Sequence, residues 1–415
     1  MTIPERSAEP TPCGAQRWLN IIGIGEDGVD GLSPVARQLI AAAELVVGGE
    51  RHLTLADSLI KGARLIWPNP IENAFPQILA SRGRRVAVIA SGDPYHFGIG
   101  KQLAGLVAPE EILCLPQPSA FSLAAARMGW ALQDVQTLSL HGRDLRGIVR
   151  HLHPGARILA LSWDGTTPAK LAGLLIDLQL GASRLTVLER MGGPRERIHR
   201  STAAAGFDSG IDALNTIAVE VVGYPSALAP AFAWGRSDGL FANDGQLTKR
   251  EVRAITLSSL APRYGQLLWD IGLGAGSVAI EWLLADRSLR AIGIEEDSER
   301  AANAARNAAT LGTPELQIVT GRAPEALAGL PPPDAVFIGG GLGDGVVDAA
   351  WTALKPAGRL VANAVTLEGE ATLFAAFQRF GGELSRIELA RANKIGSLWG
   401  WRSAMPVTHW LAVKP

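Results

Sequence analysis

Two rhythms of hydrophobic and polar positions alternate along this chain. Short, nearly continuous apolar runs read as buried strands, and longer mixed segments read as helices. In the second half the runs are LLWDI, LRAIGIE, ELQIV, DAVFI and, within LKPAGRLVANAV, a fifth. A helix, SERAANAARNAATLG, separates the second from the third, with Gly312 placed where a helix stops. This alternation predicts a doubly wound α/β domain whose ligand crevice lies at the carboxyl ends of its strands. The first half opens similarly: WLNIIGIG reads as a strand running into glycines, and AELVVGG as one ending in Gly48 and Gly49. Between them LSPVARQLIAAAE reads as a helix with Ser33 as N-cap and Pro34 at its first position. RRVAVIASGDPYHFGIG reads as a strand breaking into a Gly-Asp-Pro loop.

The strand end at Asp270 and the glycines that follow, WDIGLGAGS, carry the clearest chemistry. Gly272, Gly274 and Gly276 let the backbone bend tightly and approach a ligand. A dinucleotide fingerprint needs glycine at the first, third and sixth positions, but the sixth here is Ser277. The spacing therefore favours S-adenosylmethionine (SAM). Glu295, near the end of the next strand, is placed to accept both hydroxyls of a ribose; the bland alternative is a solvated acidic helix start, since Glu296, Asp297 and Glu299 follow. Gly339 to Gly341 close the fourth strand, where bulk beside a ligand is costly. In the first half Gly23, Gly25 and Gly28 match GxGxxG literally. No acid follows at the next strand end to grip a ribose, so this reads as a decoy.

With 415 residues and 47% hydrophobic positions, the chain has material for two cores. A formal charge of −1 gives no basic face for nucleic acid. Two distant cysteines, Cys13 and Cys114, argue against a zinc site or disulfide framework and for a reducing cytoplasm. No apolar run of about 18 residues predicts a membrane span. Residues 1–17 read as a disordered lead-in, 18–224 as one domain, 225–235 as a linker rich in prolines and small residues, and 236–415 as the second domain.

TKREVRAITLSSL, WDIGLGAGSVAIE, GRAPEAL and DAVFIGGG, in that order, resemble the decarboxylating precorrin methyltransferases of corrin synthesis. That resemblance implies SAM contacts at Thr248, Gly272, Leu273, Gly274, Ala275, Gly276, Glu295 and Ala323. Relatives often carry a hydroxyl residue where Ala275 stands. In the first half WLNIIGIG, IASGDPYHFGIG, LPQPSAFSLAAARMGW, LSWDGTTPAKL and LTVLERMGG resemble the tetrapyrrole methylases. This implies a two-lobed α/β domain holding SAM mostly through backbone groups, at Gly23, Gly25, Ser91, Gly92, Asp93, Pro94, Ser119 and the segment Glu189 to Met191. Glu26 and Asp27 stand where relatives often have Gly-Pro. The pairing resembles the bifunctional precorrin-6Y C(5,15)-methyltransferases (decarboxylating) of cobalamin synthesis. It implies two SAM sites, methylation of two meso carbons, loss of carbon dioxide from the carbon-12 acetate, and self-association through the C-terminal domain.

A methyl on a sulfonium arrives already activated, so placement of the acceptor and exclusion of water remain for the protein. No Ser/His/Asp constellation is readable, and no metal site is expected. The precorrin implied as substrate carries many carboxylates, which arginine and lysine hold through charge-assisted hydrogen bonds. Lys249, Arg250, Arg253, Arg391 and Lys394 are the candidates, Lys249 foremost, each weighed against a solvated helix face. Trp399 and Trp401 either flank the macrocycle or pack in a core or strand. Asp270 and Glu281 stand as possible general acids, each with a structural alternative at the glycine turn. Other readings are a cobalt-loaded substrate, a methylase for RNA or protein, and a SAM-binding scaffold.

Overall fold

The computed structural model describes residues 17–207, 210–223, 231–343 and 345–415. The expected lead-in, except Arg17, and the part of the expected linker before Ala231 lie outside the described residues. The chain forms two compact units, one of residues up to Arg143 with Gly155–Gly223, the other of Asp144–Pro154 with residues from Tyr224 onward. Asp144–Pro154 falls with the second unit although it lies inside the expected span of the first, and no local sequence pattern announces this. Within that unit Arg150 Nε donates to the Gly312 carbonyl at 2.8 Å, and its guanidinium pairs with Glu315.

The first unit holds two sheets. β1 (Leu19–Ile24), β2 (Leu45–Gly48), β3 (Ala63–Ile66), β4 (Val86–Ser91) and β5 (Ile112–Leu115) form a parallel sheet in the order β3-β2-β4-β1-β5. Both faces of β1 are covered, which is why it is apolar throughout. Leu19 and Ile21 pack with Val88 and Ile78, and Ile22 and Ile24 with Ala36 and Ile40. The second sheet comprises β6 (Gln136–Ser139), β7 (Arg157–Leu161), β8 (Arg184–Glu189), β9 (Arg197–Thr202) and β10 (Asn215–Glu220), in the order β6-β7-β10-β8-β9. Only β6 and β7 run parallel in it. The helix Ala120–Met128 covers Leu159, Leu188 and Ala218 with Phe121 and Ala124.

The second unit is built on one sheet of β11 (Leu267–Ile271), β12 (Arg290–Glu295), β13 (Gln317–Thr320), β14 (Ala335–Ile338), β15 (Arg359–Ala364), β16 (Glu383–Ile387) and β19 (Val407–Val413). Its order is β13-β12-β11-β14-β15-β19-β16, parallel except for β19, which runs antiparallel to both neighbours. Helices cover both faces: Leu268 packs with Val278 and Leu257, whereas Trp269 packs with Val347 and Leu373. The sequential order reverses between β11 and β14, where a doubly wound sheet opens its crevice. β17 (Ala390–Ile395) and β18 (Leu398–Ser403) form a separate exposed hairpin. Among the described residues no helix is long and apolar enough to cross a membrane.

Candidate functional site

In the second unit the glycine turn sits at that reversal. Gly272, Gly274 and Gly276 have φ of +73°, +54° and +78°, backbone that side chains with a Cβ rarely adopt. Space is a second constraint at Gly272, because an added Cβ meets the Gly340 backbone at 2.7 to 2.8 Å. The Gly339 amide donates to the Ile271 carbonyl at 2.9 Å, so the glycine run closing β14 lies directly on the turn. Asp270, at the end of β11, points beneath it and accepts from the Ala279 amide at 3.0 Å. Burial raises the Asp270 carboxyl to about 8; the Ala279 hydrogen bond works against this and the Glu295 charge adds to it. Its contacts are structural, at the start of the helix Ser277–Ala285.

Glu295 closes β12 beside this turn. Its Oε2 accepts from the Gly274 amide at 2.7 Å and its Oε1 from the Asp297 amide at 3.1 Å. It is therefore a fixed carboxylate at the strand end rather than a solvated one, at 5% exposure. Asp297 caps the helix Ser298–Leu311. From that helix Asn307 reaches back, donating to the carbonyls of Ala275 and Ala242 at 2.9 Å each and accepting from the Ala242 amide. This clasp carries the approach segment to Thr248, whose Gln246 carbonyl lies 3.5 Å from the Cβ position of Gly274. Gly321, two residues before Ala323, donates its amide to the Glu295 carbonyl at 2.8 Å. Turn, Glu295, Thr248 segment and Ala323 segment thus converge, while the buried Ala275 offers only its backbone. Asn307 escaped the sequence reading, because nothing in a helical run marks a residue that bonds two loops at once.

The candidate substrate cations separate. Lys249 and Arg250 are exposed at the start of the helix Arg250–Leu260. Arg253 is not available: its side chain is fully enclosed, bonded to Glu281 at 2.8 Å, to Asp238 at 3.1 Å and to the carbonyls of Thr248 and Arg236. It and Glu281 form a structural pair, and Glu281 also accepts the Gly235 and Arg236 amides, so neither faces a ligand. Arg391 pairs with Glu251, and Lys394 lies 5.8 Å from the Trp399 ring centre across the hairpin. Trp399 and Trp401 are 69% and 77% exposed, which removes the core reading for both.

The first unit assembles its glycines by close approach. A Cβ on Gly23 would stand 1.9 Å from the Gly92 carbonyl oxygen and 2.7 Å from the Gln117 amide. The Gly92 amide donates to the Ile24 carbonyl and the Gln117 amide to the Gly92 carbonyl, which knits the end of β1 to two loops. Gly92 has φ of +51° and abuts Pro118 and Ser119. Ser119 caps the helix Ala120–Met128, and Asp93 accepts from the Tyr95 amide at 2.9 Å. The Pro94 carbonyl lies 2.5 and 2.8 Å from the Cβ positions of Gly98 and Gly100. Gly25 is held against Asp27, and Met191, 7% exposed, follows β8. Gly28 begins a tight 3-10 turn, Gly28–Gly31, and the next helix starts only at Pro34. The literal GxGxxG therefore lacks the helix start that a dinucleotide site requires.

The Gly-rich cradles and the fixed Glu295 fit SAM. Among the described residues no three His, Cys, Asp or Glu side chains gather as metal ligands.

Residues 19–205 match the family model for tetrapyrrole (corrin/porphyrin) methylases, and residues 239–414 that for the precorrin methyltransferase domain. A precorrin-6Y C(5,15)-methyltransferase [decarboxylating] of Sinorhizobium sp is 54% identical over 400 residues, covering 96% of this chain and 97% of that protein. One of the same name from Mycobacterium tuberculosis (strain ATCC 25618 / H37Rv) is 39% identical, covering 95% and 99%. A cobalt-precorrin-7 C(5)-methyltransferase of Salmonella typhimurium is 29% identical over 184 residues, 44% of this chain and 89% of its own length.

Proposed function

The chain belongs to the family of precorrin-6Y C(5,15)-methyltransferases (decarboxylating), and we propose that it carries out that family's step. It methylates precorrin-6B (dihydro-precorrin-6) at carbons 5 and 15 and removes the carbon-12 acetate carboxylate as carbon dioxide, giving precorrin-8 for cobalamin. The observation that carries this reading is two separate glycine cradles, at Gly23 and at Gly272, each closed against a second glycine-bearing loop. Each unit accordingly takes one SAM. The Salmonella relative, named for C(5) methylation alone, matches only 44% of this chain. That favours one meso carbon per unit, with carbon 15 and the decarboxylation in the second.

Bound SAM supplies a methyl already activated by its sulfonium. In the second unit the Glu295 carboxylate accepts the ribose hydroxyls, while the turn from Gly272 to Gly276 lets backbone approach the ligand. Thr248, Leu273, Ala275 and Ala323 complete that site. In the first, Gly23, Gly25, the loop Ser91 to Pro94, Ser119 and Met191 line the SAM pocket. Lys249 offers an exposed ammonium to a substrate carboxylate. The electron pair left by decarboxylation passes into the conjugated macrocycle and returns to the side-chain carbon with a proton in place of the lost carboxyl, so no further cofactor is required. The exposed apolar hairpin bearing Ile395, Leu398, Trp399 and Trp401 supports self-association through the second unit. A metal-free substrate and a cytoplasmic location complete the reading.

Calorimetric titration with SAM tests the central point. Two molecules bound per chain are expected; one, or none, contradicts it.

A further inference from the structure

At the carboxyl end of β1, in the first unit, the carboxylate of Glu26 is gripped as a ligand is gripped. Its Oε1 accepts from Arg51 Nη1, and its Oε2 accepts from Arg190 Nη1 at 3.0 Å. The two arginines come from different sheets of the unit, Arg51 from just after β2 and Arg190 from just after β8. Each is independently braced. Arg51 Nη2 reaches Ser91 Oγ at 2.7 Å and His52 Nε2 at 2.8 Å, and Arg190 Nε donates to Asp212 Oδ2 at 2.5 Å. Arg190 has a φ of +44°, strained backbone for a residue with a side chain, which the surrounding bonds hold in place. Ser91 ends β4 and directly precedes Gly92, which closes on Gly23, so the gripped carboxylate lies beside the cradle.

Two guanidiniums converging on one carboxylate, each with a separate anchor, is the arrangement expected of a carboxylate-binding seat. Here the occupant belongs to the chain. Glu26 is 9% exposed at its side chain, while Arg51 retains 31% and Arg190 18%, so the seat opens toward solvent on the arginine side. An internal carboxylate keeps two like charges together before a ligand arrives, which is preorganisation of the site. Exchanging it for another carboxylate conserves the charge and hydrogen bonds, whereas an amide or ester arm offers no equivalent.

Resting on the function proposed above, we propose that Arg51 and Arg190 seat a carboxylate arm of the tetrapyrrole, and that Glu26 holds this seat until the arm displaces it. Glu26 and the two arginines then set which arm is presented at the first methylation site. The alternative is a structural strut, for which Gly193 gives some support: its Cβ position lies 2.6 Å from the Cβ of Glu26.

Steady-state methylation by the full chain separates the two. Glu26→Gln removes the internal competitor and keeps the shape, so KM for the tetrapyrrole at the first site falls on the order of tenfold, with kcat little changed. Arg51→Ala raises that KM by a similar factor, and Arg51→Lys restores only part of it. Should Glu26→Gln fold poorly, the wild-type chain is assayed with a tetrapyrrole amidated on its carboxylate arms. A raised KM that Arg51→Ala no longer distinguishes from the native substrate supports the seat; equal discrimination by both chains overturns it. An unchanged or higher KM in well-folded Glu26→Gln makes Glu26 a strut and overturns the inference alone. Absence of any methyl transfer by the wild type overturns the functional reading as well.

Discussion

Arg253 Nε donates to Glu281 Oε1 at 2.8 Å with both side chains wholly enclosed. Removing one partner leaves the other charge buried, which costs about 3–5 kcal/mol. Arg253→Ala therefore destabilises the second unit by about that much in urea unfolding, whereas the exposed Lys249→Ala leaves the midpoint unchanged. In kinetics the order reverses: Lys249→Ala raises KM for the tetrapyrrole without lowering the second unit's affinity for SAM.

Glu295 holds the Gly274 amide and is the candidate acceptor for ribose. Glu295→Gln replaces charge-assisted hydrogen bonds worth about 1.5–3 kcal/mol by neutral ones. Affinity for SAM at the second site falls by about tenfold or more in a calorimetric titration, while the first site is unaltered.

The two cradles offer a paired test. Gly23→Ala drives a methyl into the Gly92 carbonyl, and Gly272→Ala drives one into the Gly340 backbone at a φ of +73°. Each variant is expected to bind one SAM per chain instead of two, and each loses a different methylation. Equal loss of both sites in either variant contradicts the assignment.

Stability carries a pH signature from Asp270. Its folded carboxyl titrates at about 8, because burial disfavours the charge. An unfolded aspartate titrates near ~3.9, so between these values the folded chain holds a proton that the unfolded chain has released. The stabilisation from this group is complete below the unfolded value and is lost as pH rises through about 8. Asp270→Asn removes that part of the slope, as urea unfolding at several pH values reads directly.

What was legible in the sequence was local. Buried parallel strands are apolar runs, and a turn needing positive φ declares itself as glycine, so β11, β12, β14 and the Gly272 turn were readable. Long-range pairing was not. The helix REVRAITLSSL presents its arginines alike, yet Arg253 finds Asp238 and Glu281 and vanishes inside while Arg250 stays exposed. Glu26 showed only as a departure from a loop pattern, because Arg190 lies 164 residues away. Trp399 and Trp401 alternate with glycine as a strand does, but a hairpin outside the seven-stranded sheet of its unit leaves them uncovered. Asp144–Pro154 falls with the second unit, where Arg150 meets Gly312, and no local pattern announces that pairing.

Two methylations and one decarboxylation by a single chain are read most directly by mass spectrometry of the tetrapyrrole after incubating the purified chain with SAM and reduced precorrin-6. Gain of two methyl groups with loss of one carbon dioxide is expected. A single methylation with every carboxylate retained, or an unchanged tetrapyrrole beside bound SAM, would contradict the proposed function.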